Sequence, residues 1–392
     1  MTVTVTQPSI NVREKLAELD KPTGIAGEAM LRAETPQEQF NLIGAGRRNL
    51  IINGAMQHWQ RSTSAGVSSS NGNSYLACDR WTTIFDVANS ATATISQSTD
   101  VPSGQGFKYS QLHTVTATDT VTLSAFRYIL EGYDHANILG NWVTVSFWFK
   151  ASVAGNYSYN HHVVSNGGVM KQFNYPTANV WQKVEMTYYV PEDAIYNTSS
   201  GIGSRLYVVL GVAGSSSGTT EYPNWNASGT IRYGLGDDQV ALNKISGATA
   251  QITGVQLEVG KVATPFEHRS YGEELALCQR YFQRLGHGAH EFPIAFGYLY
   301  GDGEKSAFSA PLAVSMRSTP SLEGTGNALV VKSGGTQVTL APSHFTVAYL
   351  ENASQIGIYS NTNSHADMGS NHDSAMLTNT ATDETIDLDA EL

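Results

Sequence analysis

Between Gln251 and Val259 the apolar residues Ile252, Val255, Leu257 and Val259 alternate with polar neighbours at period two, with a single slip at Gly254. This alternation suits a strand with one buried face, and the slip predicts a bulge. The segment marks an architecture and carries no chemistry: it closes an all-β domain. Beyond Pro265, Ser270 and Glu273 have the spacing of a capping box, so a helix is predicted to start at Ser270. Tyr271, Leu275, Cys278, Phe282 and Leu285 then recur at steps of four and three, the pattern of a heptad seam, and Gly286 is placed to end the helix. An exposed seam of this kind calls for other copies of the chain, and a homotrimer is expected, with the flanking β domains sharing the interface.

Upstream of this connector the pattern is strand after strand. Leu50–Ile52, Arg80–Asp86, Ala91–Ser96, Thr120–Leu130, Trp142–Lys150, Asn156–His162, Trp181–Val190, Arg205–Val212, Thr230–Leu235 and Ala248–Val259 are bounded by clusters of Gly, Asn, Ser and Pro. The regular spacing favours a jelly-roll-like β-sandwich over alternating strand–helix units. The first and last strands are expected to lie side by side. After Gly286 a smaller C-terminal β domain is predicted, with strands at Phe292–Tyr300, Ser306–Phe308, Ala328–Val331, Gln337–Leu340, Thr346–Tyr349, Gln355–Tyr359 and near Thr385–Leu388. Met316 to Pro320 leads into a further extended segment, and Ser360–Ser370 reads as a long exposed loop.

Residues 1–48 differ from the rest. Asn11 to Glu14 and Thr35 to Glu38 both have cap spacing, which predicts two short helices. Ile10, Val12, Leu16 and Leu19 give the first an apolar side, and a helix so short must dock either on its own β domain or on a neighbouring protein. The domain boundaries are therefore 1–48, 49–269, 270–286 and 287–392.

Several stretches resemble tail fibre and receptor-binding proteins of tailed bacteriophages. They are the strand Gly254-Val-Gln-Leu-Glu-Val-Gly260, the link Ala263-Thr-Pro-Phe-Glu-His-Arg269, the helix Glu274-Leu-Ala-Leu-Cys-Gln-Arg-Tyr-Phe282, Gly24-Ile-Ala-Gly-Glu28, Gln39 to Gly54, Trp59-Gln-Arg61, Asp79-Arg-Trp81 and the terminus Asp387-Leu-Asp-Ala-Glu-Leu392. The resemblance frames the first 286 residues and the last six. It implies a non-enzymatic virion component, made in the host cytoplasm, whose N-terminal segment docks on a tail or adaptor protein through Ile10, Val12, Leu16 and Leu19. The resemblance leaves the receptor unnamed; the C-terminal domain is expected to present loops to the host, with a surface glycan as the expected receptor. A surface-polysaccharide depolymerase and a purely structural tail or capsid-decorating protein are the alternatives.

Composition narrows the partners. Charged residues are 15% of the chain against about 25% in average proteins, replaced by Ser, Thr, Asn and Gly as in turn-rich β proteins. The net charge of −11, concentrated after Gly286, repels phosphate backbones, so nucleic acid is not expected. Asp383, Glu384, Asp387, Asp389 and Glu391 read as a solvated surface, with calcium as the alternative. No apolar run is long enough to span a membrane and no signal peptide is evident. Cys78 and Cys278 do not make a disulfide framework, and no cofactor is expected.

Motifs of metalloproteases, nucleophile elbows and phosphate loops are missing, so no catalytic residue and no metal ligand is assigned. His161 and His162 on one strand must point to opposite faces and cannot share a metal. Asp79 and Arg80 beside Trp81 read as an internal ion pair over a buried indole. For a glycan, the candidate contacts are Tyr222, Asn224, Trp225 and Asn226, where aromatic faces and amides share a Pro-containing loop; packing of that loop onto its own domain is the competing reading.

Overall fold

A computed structural model describes residues 47–392 apart from 69, 87–90, 120–121, 228–231, 287–292, 301–304, 324–327, 333–336, 341–344, 349–353, 361–373 and 380–384. The expected N-terminal helices with Ile10, Val12, Leu16 and Leu19, the loop at 361–370, and Asp383 and Glu384 lie outside these residues.

The first unit contains fourteen strands: β1 (Ser64–Val67), β2 (Trp81–Asp86), β3 (Thr92–Ser98), β4 (Ser110–Ala117), β5 (Leu123–Glu131), β6 (Asn141–Ala151), β7 (Gly155–Val163), β8 (Gly167–Tyr175), β9 (Gln182–Val190), β10 (Ile202–Val212), β11 (Ser217–Gly218), β12 (Tyr222–Asn226), β13 (Gly234–Leu235) and β14 (Thr249–Val259). One short helix, α1 (Gly132–Ala136), follows β5. Twelve strands form two six-stranded sheets, in the orders β1-β3-β4-β14-β6-β9 and β12-β8-β7-β10-β5-β2. Their inner faces close on an aromatic core in which Phe149 meets Tyr157 at 4.9 Å and Phe173 at 5.3 Å between ring centroids. The unit is a jelly-roll-like sandwich, as the strand spacing indicated.

Leu50–Ile52 is not a strand, yet it runs beside β14: the Leu50 amide donates to the Leu257 carbonyl at 3.0 Å and the Leu257 amide donates to the Asn49 side chain at 3.1 Å. The bulge falls where expected. Register shifts between Thr253 and Gln256, and Gly254 sits at φ +63° with the Phe107 ring 2.4 Å from where a Cβ would be. Only glycine fits that site.

Helix α2 spans Tyr271–Gln279, and Ser270 caps it by accepting from the Glu273 amide at 3.3 Å. The expected continuation to Gly286 is corrected by the structure. Phe282–Leu285 is a strand, β15, paired antiparallel with β24 (Ile386–Asp389). The long-range ladder supplies the backbone partners that further helical turns would have supplied, so residues 270–286 are a helix and a strand.

The heptad seam is lost with it. Tyr271 is 65% exposed with its ring on His58, Leu275 is half-buried, and Leu285 leans on the second core. Cys278 is fully buried with Ile52 and Tyr281, and Phe282 is covered by Arg61 at 3.8 Å. The five residues share no face, and those that are buried are buried within one copy.

The second unit adds β16 (Pro293–Tyr300), β17 (Lys305–Pro311), β18 (Ser321–Glu323), β19 (Ala328–Lys332), β20 (Gln337–Leu340), β21 (Phe345–Ala348), β22 (Gln355–Ser360) and β23 (Ser374–Asn379). A seven-stranded sheet, β20-β19-β23-β16-β17-β22-β21, packs its inner face with Leu299, Phe308, Ile356, Ile358 and Leu377. The smaller sheet β15-β24-β18 joins this unit to the sandwich.

Charged side chains fill the junction. Asp387 takes a two-pronged pair from Arg284 at 2.8 and 2.7 Å, Asp389 accepts from Arg61 at 2.8 Å, and Glu391 accepts from Arg80. Arg80 is completely buried, lies 3.5 Å from the centre of the Tyr281 ring and donates to the Ile129 carbonyl at 2.9 Å. The expectation of a solvated acidic terminus is therefore corrected for Asp387, Asp389 and Glu391: each has a distant arginine as its partner. Asp79 and Arg80 likewise do not pair with each other. Asp79 accepts from Gln60 at 3.0 and 2.8 Å and faces Arg61, while burial pushes its carboxyl up to about 6 against the pull of Arg61 and Gln60. The Trp81 indole is buried and donates to the Asn53 carbonyl.

Candidate glycan-binding face

In a strand that sends Val143, Val145, Phe147 and Phe149 into the core, Trp142, Thr144, Ser146 and Trp148 must lie on the opposite face, where Trp142 is exposed, Trp148 half-buried and Thr144 and Ser146 covered. On β9 the outward residues are Lys183, Glu185, Thr187 and Tyr189, and antiparallel register sets them opposite as Trp142–Tyr189, Thr144–Thr187, Ser146–Glu185 and Trp148–Lys183. Trp142 and Tyr189 are 42% and 39% exposed, with ring centroids 5.9 Å apart. The Lys261 ammonium stands 5.5 Å from the Trp142 ring centre. In the next row the two threonine hydroxyls meet at 2.8 Å and Thr144 also donates to the Gly260 carbonyl at 2.9 Å. Lys183 and Glu185 then pair at 2.6 Å in solvent.

At the other end Asp100 gathers Lys150, the Trp181 indole at 3.0 Å and Gln251 at 3.2 Å. Burial works against its charge, but these three donors outweigh it and hold the carboxyl below its ordinary range. From the Trp142 row to Lys150 the strand rises about 27 Å at about 3.4 Å per residue. Along the strip Trp142, Tyr189, Lys183 and Glu185 are open to solvent, Trp148, Trp181 and Thr187 are half-buried, and Thr144 and Ser146 are buried. Stacking under the C–H face of a sugar, with polar groups at its hydroxyls, is the chemistry such a strip offers. Asp100 itself does not suit a general acid for glycoside cleavage, which needs a raised pKa, because its carboxyl is shifted the other way.

The sequence-predicted set lies elsewhere. Tyr222–Asn226 is an edge strand, β12, paired with β8 through Tyr222–Met170 and Asn226–Gly168, where a loop was expected. Trp225 is half-buried, its ring 5.7 Å from His161 and its indole donating to the Asn166 carbonyl at 3.0 Å. Asn224 is exposed, while Tyr222 and Asn226 are half-buried. The four residues share a strand, and the tryptophan is engaged by its own domain.

One buried constellation has the outline of a nucleophile and base. His161 Nε2 is 2.8 Å from the Ser204 hydroxyl, and its Nδ1 is 2.9 Å from the Tyr188 hydroxyl, which meets Tyr159 at 2.8 Å. All four side chains are inside the sandwich, and burial holds the His161 ring neutral, so no substrate reaches them. His162 points the other way, toward Tyr233, as alternation required. Among the described residues no cluster of three or more His, Cys, Asp or Glu forms a metal site, and no helix is long and apolar enough to cross a membrane.

No protein-family model matches this sequence, and a search of curated proteins returned no match. Among solved structures, the enzymatically active domain of bacteriophage CBA120 tailspike protein 4 aligns over 54% of this chain at 15% identity and a TM-score of 0.28; the chain covers about a fifth (21%) of that protein. The family 11 carbohydrate-binding module of Clostridium thermocellum, solved with a β-1,3-1,4-mixed-linked tetrasaccharide, aligns over 52% of this chain and 99% of its own at 11% identity and a TM-score of 0.26. The C-terminal family 22 module of Clostridium thermocellum Xyn10B aligns over 47% and 88% at 14% identity and a TM-score of 0.25.

Proposed function

We propose that this chain is a non-enzymatic tail fibre or tail-tip protein of a tailed bacteriophage, and that it holds a host-surface glycan on the outer face of β6 and β9. The observation that carries the glycan reading is the pair Trp142 and Tyr189, two large rings left open on the polar side of a sheet whose other side is a dense core. Solvent-facing aromatics in line with Thr, Lys, Glu and Asp form an amphipathic strip that matches the alternating C–H and hydroxyl surfaces of a saccharide.

The phage reading rests on the resembling stretches of sequence. Arg61, Asp79, Arg80, Tyr281, Phe282, Asp389 and Glu391 belong to segments far apart in sequence that meet in one clamp. Residues 1–46 lead into Arg47, which pairs with Asp134 of α1 at 3.2 Å, so a tail-docking segment would leave from that end of the sandwich.

The test is titration of purified host-surface polysaccharide against the parent protein and the double variant Trp142→Ala/Tyr189→Ala. Loss of at least tenfold in affinity supports the reading, and unchanged affinity sinks it. Reducing ends released during the same incubation would instead establish a depolymerase.

A further inference from the structure

The outward row of the second unit is also aromatic. On β16 the alternation that sends Ala295 and Leu299 inward leaves Phe296 66% and Tyr298 47% exposed. Register places Tyr298 opposite Ala307 of β17 and Ala307 opposite Tyr359 of β22, which is 37% exposed. The next row reads Phe296, Ser309, Gly357. Two strand spacings of about 4.8 Å therefore separate the tyrosines, with small residues as the floor between them. Tyr359 is laid across Gly357: a Cβ there would sit 2.8 Å from the ring, so glycine lets the ring lie against the sheet and turn a face to solvent.

We infer that this face is a second saccharide-binding platform, specific for uncharged sugar chains. The inference rests on the proposed glycan-binding role of the protein, but on a different sheet. Ala307 stands between the two tyrosines, and in the next row Ser309, between Phe296 and Gly357, donates to Gln355 at 3.2 Å beside the trough. Rings set apart by small residues, with a hydroxyl and an amide at the side, suit a sugar, whose apolar faces are bounded by polar edges. Charge selects the class. Although residues 287–392 are acidic overall, the outward residues of β16, β17 and β22 include one charged side chain, Lys305 at the end of the strip. Among the described residues of that face an anionic sugar finds no cluster of cations, and a cationic one no carboxylate.

The experiment uses the full chain on an array of immobilised neutral hexose and N-acetylhexosamine oligomers alongside sialylated and sulfated ones. Four proteins are compared: the parent, Trp142→Ala/Tyr189→Ala, Tyr298→Ala/Tyr359→Ala, and Gly357→Ala, which keeps the sheet but lifts the Tyr359 ring. Binding to a subset of neutral oligomers should survive the first double variant and fall about tenfold in the second, with Gly357→Ala losing part of the same signal. If Trp142→Ala/Tyr189→Ala removes all binding while Tyr298→Ala/Tyr359→Ala changes nothing, the second platform is refuted and the first face stands. If the parent binds no neutral oligomer, the inference is overturned, and binding confined to anionic ones leaves only the first face. Sedimentation of the same proteins settles the competing occupant: concentration-dependent pairing abolished by Tyr298→Ala/Tyr359→Ala makes the face a contact between copies and overturns the proposal.

Discussion

The junction clamp and the Trp142 face are made of the same kinds of residue, arginine or lysine with carboxylates and aromatic rings, and they differ in what each charge can still reach. In the clamp, Arg80 has Glu391, the Ile129 carbonyl and the Tyr281 ring as fixed partners and no exposed surface. On the outer face, Lys183 and Glu185 pair with each other in solvent beside rings that remain two-fifths exposed. Charges committed inside the protein hold the two β units in register. Charges and rings left at the surface are available to a ligand.

The contrast is broken most forcefully at the clamp. Glu391→Ala leaves Arg80 buried without its counter-charge and should cost about 3–5 kcal/mol, read as a fall in the denaturation midpoint. Glycan affinity of the folded fraction should stay unchanged. A loss below 1 kcal/mol would mean that the terminus is not locked.

Next in size is a pH effect in the sandwich interior. His113 is completely buried between Phe85 and Phe126, neither ring nitrogen has a hydrogen-bond partner among the described residues, and burial lowers its pKa to about 4. The unfolded chain takes up that proton near pH 6.5 and the folded chain only near 4. The stability this group contributes is therefore complete above about pH 6.5 and lost as pH falls toward 4, by about 3 kcal/mol. His113→Met should flatten that slope in urea titrations at pH 7 and pH 4.5; an unaltered slope contradicts the assignment.

On the open face, Trp142→Ala should weaken glycan binding about tenfold while changing stability by only about 0.5 kcal/mol. Trp225→Ala should do the reverse, lowering the melting temperature with little effect on affinity. Smallest of all is Tyr271→Ala. With the ring 65% exposed and no seam around it, its mass in solution by light scattering should equal that of the parent. A drop from trimer to monomer would restore the oligomerising helix.

Much of the sandwich was legible because β6, β9 and β14 carry apolar residues at every inward position. Strand β4 was not, since its inward side is Gln111, His113 and Val115, and two polar residues hide the alternation. In β8, Lys171 interrupts the pattern between Val169 and Phe173, its ammonium reaching the Thr187 carbonyl of β9 at 2.7 Å across the mouth of the sandwich. Helix α2 was overextended because Phe282 and Leu285 continue its spacing by coincidence; what stops it is pairing with Ile386–Asp389, a hundred residues away and invisible to local pattern. The acidic terminus misled for the same reason, as charge counting does not reveal distant arginines.

The candidate site was partly readable. An outward tryptophan on a strand whose other face is continuous core is a sequence-level signal, and Trp142 and Trp148 carry it. Trp225 drew attention because Pro223 and two asparagines made its strand resemble a loop.

Oxidative footprinting of the intact protein with and without purified host-surface polysaccharide tests the central claim most directly. Protection of Trp142 and Tyr189 on adding polysaccharide, with Trp225 unchanged, is the result this account predicts. Protection at Trp225 with Trp142 still fully reactive would contradict it.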